Sequence, residues 1–207
     1  MDDVIDGDPD SAAMQRYSGG EDAAFEGLYR KYQPRLHRYF LSSTGSEAVA
    51  LDLYQETWMR VIRSRATYTP QARFMTWVFT IARNCLTDHY RTVSHPAHVA
   101  QAVDIDELNS SKNEQVASAD ALSPEETAQL VQYIGHLHDA LGLLPQVQRD
   151  VVLFRYAAGM TINEIADLTD EKDETVKSRL RYALPKLRTT LREKLQLPEL
   201  TGEHARQ

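Results

Sequence analysis

The chain has 207 residues, 42% of them apolar and 26% charged, which suits one ordinary soluble domain or two small ones. No run approaches the roughly 18 apolar residues of a membrane helix, and the opening MDDVIDGDPD is acidic where a signal peptide is basic and then apolar, so a cytoplasmic protein without membrane insertion is expected. The single cysteine, Cys85, excludes an intramolecular disulfide and a cysteine zinc site, and a net charge of −7 argues at first against a nucleic-acid partner.

The distribution of that charge points the other way. Residues 1–26 hold eight acids and one base, and residues 92–127 hold seven acids and one lysine. Residues 27–91 and 175–195 each carry a net +6. Two basic blocks inside an acidic chain point to a polyanion more than to solvated helix faces.

In chain order, residues 1–23 are rich in Asp, Gly and Ser and read as a disordered acidic tail. From 24 to 91 the apolar spacing is helical. Phe25, Leu28, Tyr29, Tyr32, Leu36 and Phe40 make one stripe, and Val49, Leu53, Trp58, Val61 and Ile62 a second. A third runs from Phe74 through Trp77, Val78, Ile81, Ala82 and Cys85 to Leu86. Breaks fall at Ser42–Ser46 and around Pro70. Residues 92–122 are polar, acidic and aperiodic, a length that suits a flexible linker between domains.

A second domain, 123–197, opens on Ser123-Pro124-Glu125-Glu126, which combines an N-cap, a proline at the first helical position and a capping-box glutamate. Its first helix carries Leu130, Val131, Ile134, Leu137, Leu141 and Leu144, up to Pro145. Val147, Val151, Val152 and Phe154 continue in a second helix, to Gly159. Thr161 to Glu164 is another capping box, and a fourth helix begins near Asp173. Residues 198–207 form a tail. No segment alternates as a strand does. The fold class is therefore all-α: two small helical domains joined by a flexible linker.

Residues 160–184, MTINEIADLTDEKDETVKSRLRYAL, have the layout of a helix-turn-helix. Ile162, Ile165, Ala166 and Leu168 face inward from the short helix, and Val176 and Leu180 from the next. Glu174, Thr175, Lys177, Ser178, Arg179, Arg181 and Tyr182 project outward, where a major groove can be read. The pattern alone fits an ordinary helical hairpin about as well. The +6 block on its second helix favours DNA.

TVKSRL with its basic tail, preceded by T-x-x-E-I-A and by LPQVQRDVVLFRY, resembles region four of extracytoplasmic-function sigma factors. LDLYQETWMRVIR resembles the region-two segment that binds the clamp helices of RNA polymerase, and FMTWVFTIARNCLTDHYR the segment that opens and captures the −10 element. The resemblance implies a non-enzymatic initiation factor with three surfaces. Asp52, Gln55, Glu56 and Arg60 would meet core RNA polymerase. Arg73, Arg83, Asn84, Asp88 and Arg91 would hold the −10 strand, with Trp58 and Trp77 left to packing. The recognition helix would read the −35 element; Arg149, outside that helix, reads either as a phosphate contact or as a plain surface arginine.

Three departures from the family pattern stand out. Asp170 and Glu171 occupy the turn where glycine and an apolar residue are usual, predicting a looser turn. Pro185 should kink or end the recognition helix near Leu184. Val49, Ala50 and Leu51 stand where acids usually precede Asp52. Beside that last gap lie Ser42, Ser43, Thr44 and Ser46, which read first as a polar interhelical turn, with Glu47, Asp52 and Glu56 supplying the acids, and second as hydroxyls whose phosphorylation would add negative charge. An anti-sigma factor and a Ser/Thr kinase are thus both open as controlling partners.

No cofactor and no metal site is expected, since His136-x-His138 and the other histidines lack ligand spacing. Two alternatives remain open on the sequence: a conventional helix-turn-helix repressor or activator that binds duplex DNA alone, and a module that only sequesters polymerase. The domain division predicts that limited proteolysis cuts within 92–122 before it cuts within either domain; equal resistance there would refute the division.

Overall fold

The computed structural model describes residues 7–93 and 123–195. They form eight α-helices, with no strand among the described residues. In the first domain these are α1 (Pro9–Ser18), α2 (Asp22–Thr44), α3 (Glu47–Arg63) and α4 (Phe74–Val93). The second has α5 (Pro124–Gly142), α6 (Gln146–Val152), α7 (Ile162–Thr169) and α8 (Asp173–Lys194). The expected linker, beyond Val93, and the tail from 198 lie outside the described residues.

The first domain packs the three expected stripes against one another. Leu28, Tyr32, Leu36 and Phe40 of α2 are buried, as are Leu53, Trp58 and Val61 of α3 and Phe74, Val78, Ala82, Cys85 and Leu86 of α4. Each fully buried large side chain of this kind contributes about 1.5–3 kcal/mol. Phe25, Tyr29 and Tyr54 surround Trp58 at ring-centroid distances of 5.4, 5.0 and 6.3 Å. Burial raises the pKa of the Cys85 thiol, as befits a core cysteine. Ile62 departs from expectation: it is 40% exposed.

The reading of residues 1–23 as a disordered tail is corrected over 9–18, which form α1. Its apolar anchors, Met14 and Tyr17, are too few to show a period, yet both are buried. Polar ties from distant residues supply the rest. The Asp8 carboxylate accepts from the Ser11 amide (3.2 Å) and hydroxyl (2.7 Å), capping α1, and from the Phe74 amide (2.8 Å) at the start of α4. Lys31 and Tyr32 of α2 donate to Asp10. The Arg65 guanidinium lies 4.3 Å from the Tyr17 ring centre.

In the second domain both capping boxes form: Ser123 with Glu126, and Thr161 with Glu164. Leu141 and Leu144 are buried, whereas Leu130 and Val131, expected in the core, are 39% and 47% exposed, with no other described element packed over the first turns of α5. After Val152 the backbone widens into one π turn, Leu153–Ala157. The turn between α7 and α8 closes through Asp170 at φ 54°, a left-handed position that Asp tolerates better than most residues.

Pro185 does not end the recognition helix. α8 continues to Lys194, with Ala183 and Leu187 buried on either side of it. The ring is exposed, as is that of Pro34 inside α2. On a solvent-facing side the carbonyl four residues earlier can bond to water, which lowers the cost of the missing amide.

The two domains touch. α2 contacts the π turn and α5, and α4 contacts α7. The Tyr39 and Phe154 rings stack at 5.5 Å and 12°. Arg83 lies 3.6 Å from Asp150, and Arg73 lies 3.6 Å from Glu164.

Burial works against ionisation of Asp8, but its hydrogen bonds from Ser11 and Phe74 outweigh burial and hold its carboxyl below the ordinary value of 3.8. The stability it supplies is therefore present above the unfolded-state pKa and is lost as pH falls through the folded one. Asp8→Ala should cost about 0.5–2 kcal/mol at neutral pH. Urea titrations of the two proteins should converge below about pH 4, and an Asp8→Ala protein as stable as the parent at pH 7 would contradict the tie.

Candidate protein and nucleic-acid interfaces

The first candidate surface lies on α3. Its N-terminus is capped by the Ser46 hydroxyl, which accepts from the Val49 amide. Asp52 and Gln55 are exposed and Glu56 is half-buried. Arg60 donates to Glu56 (2.8 Å) and to Asp88 of α4 (3.2 Å), and the Glu56 bond is the main reason its pKa lies above the ordinary arginine value. The structure thus joins three residues that the sequence divides between two surfaces. It also adds two that sequence reasoning misses. Met59 (46% exposed) and Ile62 lie on the face of Asp52, Gln55 and Glu56, one or two turns along. The signal is the heptad-like spacing 52-55-59-62, obscured because Ile62 also fits the core stripe. The face is amphipathic: polar at one end, apolar at the other.

Val49 and Ala50, two of the residues standing in place of acids, belong to the packing: Ala50 is fully buried and Val49 lies against the core. Three of the four neighbouring hydroxyls, those of Ser43, Thr44 and Ser46, are also engaged. Ser43 is buried and donates to the Tyr39 carbonyl, while its own carbonyl accepts from the Tyr90 hydroxyl. Thr44 donates to the Phe40 carbonyl. Ser46 is the cap of α3.

The second candidate surface is the outer face of α4. Asn84, Asp88 and Arg91 are exposed along it, beside Tyr90, which is 38% exposed. Arg83 is half-buried against Asp150. Arg73 precedes the helix, well apart from Asn84, Asp88 and Arg91, and meets Glu164. Phe74 is fully buried, and Trp77 packs edge-on against Tyr68 at 4.8 Å. A cleft of about 430 Å³ opens between this face and α6, lined by Arg83, Tyr90, Arg91, Arg149 and Asp150 among others. Arg149 therefore faces the other domain, not open solvent. Burial pushes the Asp150 carboxyl up, against the pull of Arg83, Arg149 and Arg179.

The third candidate surface is α8. Val176, Leu180, Ala183 and Leu187 seat it in its domain. Glu174, Lys177, Arg181 and Tyr182 are exposed, and Thr175 and Ser178 half-buried. Lys177 pairs with Glu174 at 2.7 Å, and Arg181 lies 5.2 Å from the Tyr182 ring centre. Arg179 differs. Its side chain is only 22% exposed and donates to Glu171 at 2.6 Å. The unusual acid in the turn is therefore an anchor for the helix. The Glu171 amide also donates to the Ala166 carbonyl (3.0 Å), so the turn is pinned, not loosened.

Residues 28–95 match the family model of sigma-70 region 2, and residues 140–189 that of sigma-70 region 4. The chain is 31% identical over 180 residues to the RNA polymerase sigma factor CarQ of Myxococcus xanthus, covering 87% of this chain and 96% of CarQ. It is 32% identical over 184 residues to the ECF RNA polymerase sigma factor SigL of Mycobacterium tuberculosis, covering 87% and 97%. It is 31% identical over 176 residues to the ECF sigma factor BldN of Streptomyces coelicolor, covering 83% of this chain but only 63% of BldN. Among solved structures, CnrH in complex with the cytosolic domain of CnrY aligns with a TM-score of 0.65 at 21% identity, covering 89% of this chain and 97% of that one. The sigma factor RpoE of Bartonella quintana, in complex with the anti-sigma factor NepR, aligns at 0.59 and 23%, covering 84% and 98%. At these identities the structural likeness is one of fold. Sigma factors confer specificity on transcription initiation and are not enzymes. With both regions matched in order and relatives above 30% identity along most of their length, the chain belongs to the ECF family of RNA polymerase sigma factors.

Proposed function

We propose that the chain binds the clamp helices of core RNA polymerase through the exposed face of α3 and directs initiation at promoters by holding the −10 strand on α4 and the −35 duplex on α8. The observation that carries this reading is the joining, in one chain, of an amphipathic helix face left exposed by the described residues of its own domain and a capped helix-turn-helix whose outer face bears Lys177, Arg181 and Tyr182. A repressor that binds duplex DNA alone has no use for the first. A module that only sequesters polymerase has no use for the second. The reading places the protein in the cytoplasm, where polymerase and promoters are; no helix among the described residues is long and apolar enough to cross a membrane.

Control by an anti-sigma factor fits better than control by a Ser/Thr kinase. Ser43, Thr44 and Ser46 are already bound to backbone groups, and Val49 is needed for packing, so charge added there would disturb the α2–α3 junction. Relatives of this fold have been solved with anti-sigma partners.

Run-off transcription with core polymerase on genomic fragments tests the function. Discrete transcripts should appear only when this chain is added. Met59→Asp with Ile62→Asp should abolish them and weaken binding to core polymerase at least tenfold, with the circular dichroism unchanged. Unaltered binding would remove α3 from the interface.

The two arginines of α8 should separate. Arg181→Ala should cost about 1–3 kcal/mol at one −35 position if it reads a guanine. Arg179→Ala should lower use of all −35 sequences alike, because it frees the turn. Footprinting across −35 variants would show it, and a loss at one base for Arg179 would reverse the assignment.

A further inference from the structure

We propose that the cleft between α4 and α6 is a binding site for a small phosphorylated ligand, a nucleoside polyphosphate in chemical class. Arg83 and Arg91 of the first domain and Arg149 of the second hold its phosphates, and Tyr90 carries its base. The site goes beyond promoter recognition; only its consequence for transcription rests on the assignment of α4 to the −10 strand.

The walls of the cleft are two helix faces. Arg83, Leu86 and Tyr90 recur three and four apart on α4, and Arg149 and Leu153 recur four apart along α6 and the start of the π turn. The volume of about 430 Å³ is that of a small-ligand pocket, about 300–1,000 Å³. Three guanidinium groups line it against one carboxylate, Asp150, so positive charge is in excess. Arg83 lies 3.6 Å from that carboxylate, on which Arg149 and Arg179 also act through space. Arg91 and Arg149 form no ion pair or hydrogen bond with a described residue. The Nε of Arg149 is moreover a buried donor without an acceptor. Such a donor is unfavourable until an acceptor meets it, and a phosphate oxygen does so with a charge-assisted bond.

The lining suits a nucleotide better than a lone phosphate. Arg83 and Arg91 leave α4 about 12 Å apart along its axis, a spacing for an extended ligand. Beside Arg91 the Tyr90 ring is 38% exposed, and its hydroxyl donates to the Ser43 carbonyl, which anchors its far end. Leu86 and Leu153 add apolar surface. Every base has a π-face that stacks on such a ring. A ligand held from both walls touches both domains, so its binding favours the arrangement in which they meet. Arg83 and Arg91 cannot serve this ligand and the −10 strand at once, so a bound nucleotide would oppose strand capture.

Isothermal titration of the full-length chain at physiological ionic strength tests the site, with guanosine triphosphate and adenosine triphosphate as probes. At least one of them should bind with one-to-one stoichiometry. Arg149→Gln and Arg91→Gln, one on each wall, should each weaken that binding at least tenfold. Arg188→Gln, which removes an equal charge from the exposed trailing half of α8, should change it less than twofold. Inorganic triphosphate, which offers the charge without the base, should bind at least tenfold more weakly than the nucleotide. Circular dichroism checks folding; Arg91 is exposed, so Arg91→Gln keeps the test decisive if Arg149→Gln does not fold. No binding of either nucleotide, unaltered affinity in a folded Arg149→Gln or Arg91→Gln protein, an equal loss in Arg188→Gln, or inorganic triphosphate bound as tightly as the nucleotide would each overturn the proposal. Because the titration contains neither DNA nor polymerase, its failure is distinguishable from failure of the sigma-factor reading, which run-off transcription tests by itself.

Discussion

The stack of Phe154 on Tyr39 is the contact on which the arrangement of this molecule turns. Each ring belongs to the core of its own domain, and each also completes the other's. An aromatic pair adds about 0.5–1.5 kcal/mol beyond its area. The ion pairs beside it, at 3.6 Å and partly exposed, add about 0–1 kcal/mol each. The aromatic contact therefore provides more of the cohesion and the charges set the register. The total is modest beside the burial of either domain's own core.

Internal pairing also explains how an acidic chain can carry basic faces. Arg60 is held by Glu56 and Asp88, Arg179 by Glu171, Lys177 by Glu174 and Lys194 by Asp139. These acids do more than balance charge. Asp88 and Glu171 fix the direction in which a long side chain leaves its helix, so fewer rotamers have to be ordered on binding. Net charge over a block counts both partners but cannot show which arginines are already committed. Arg181 and Arg179, two residues apart, look alike in the sequence and differ completely in the structure.

What is legible in the sequence is whatever is encoded locally. The capping boxes at Ser123 and Thr161, the stripes of α2, α3 and α4, and the inward positions of the helix-turn-helix all follow from spacing, and all form. What is not legible depends on partners far along the chain. α1 escapes detection because it is held by Phe74, Tyr32 and Arg65 more than by its own apolar residues. Pro185 misleads because the cost of a helical proline depends on which side of the helix meets solvent. Ile62 fits the spacing of the buried stripe; only the assembled bundle shows that it lies beyond the edge. The resemblance to sigma factors supplies the two regions in order but says nothing of how they meet.

The π turn at Leu153–Ala157 has a consequence for helical phase. An α-helix advances about 100° per residue, and a π turn amounts to one residue inserted into that rhythm. Everything after Ala157, including the whole helix-turn-helix, is therefore presented about a quarter-turn away from where an uninterrupted α6 would put it. The phase shift sets the azimuth of α8 relative to Phe154. Deleting one residue of this turn would return it to the α rhythm and leave the two sides in their present phase, whereas the same deletion in the regular part of α6 would turn one against the other by about 100°. The π turn is thus the one place in this helix where a residue can be lost without re-aiming α8.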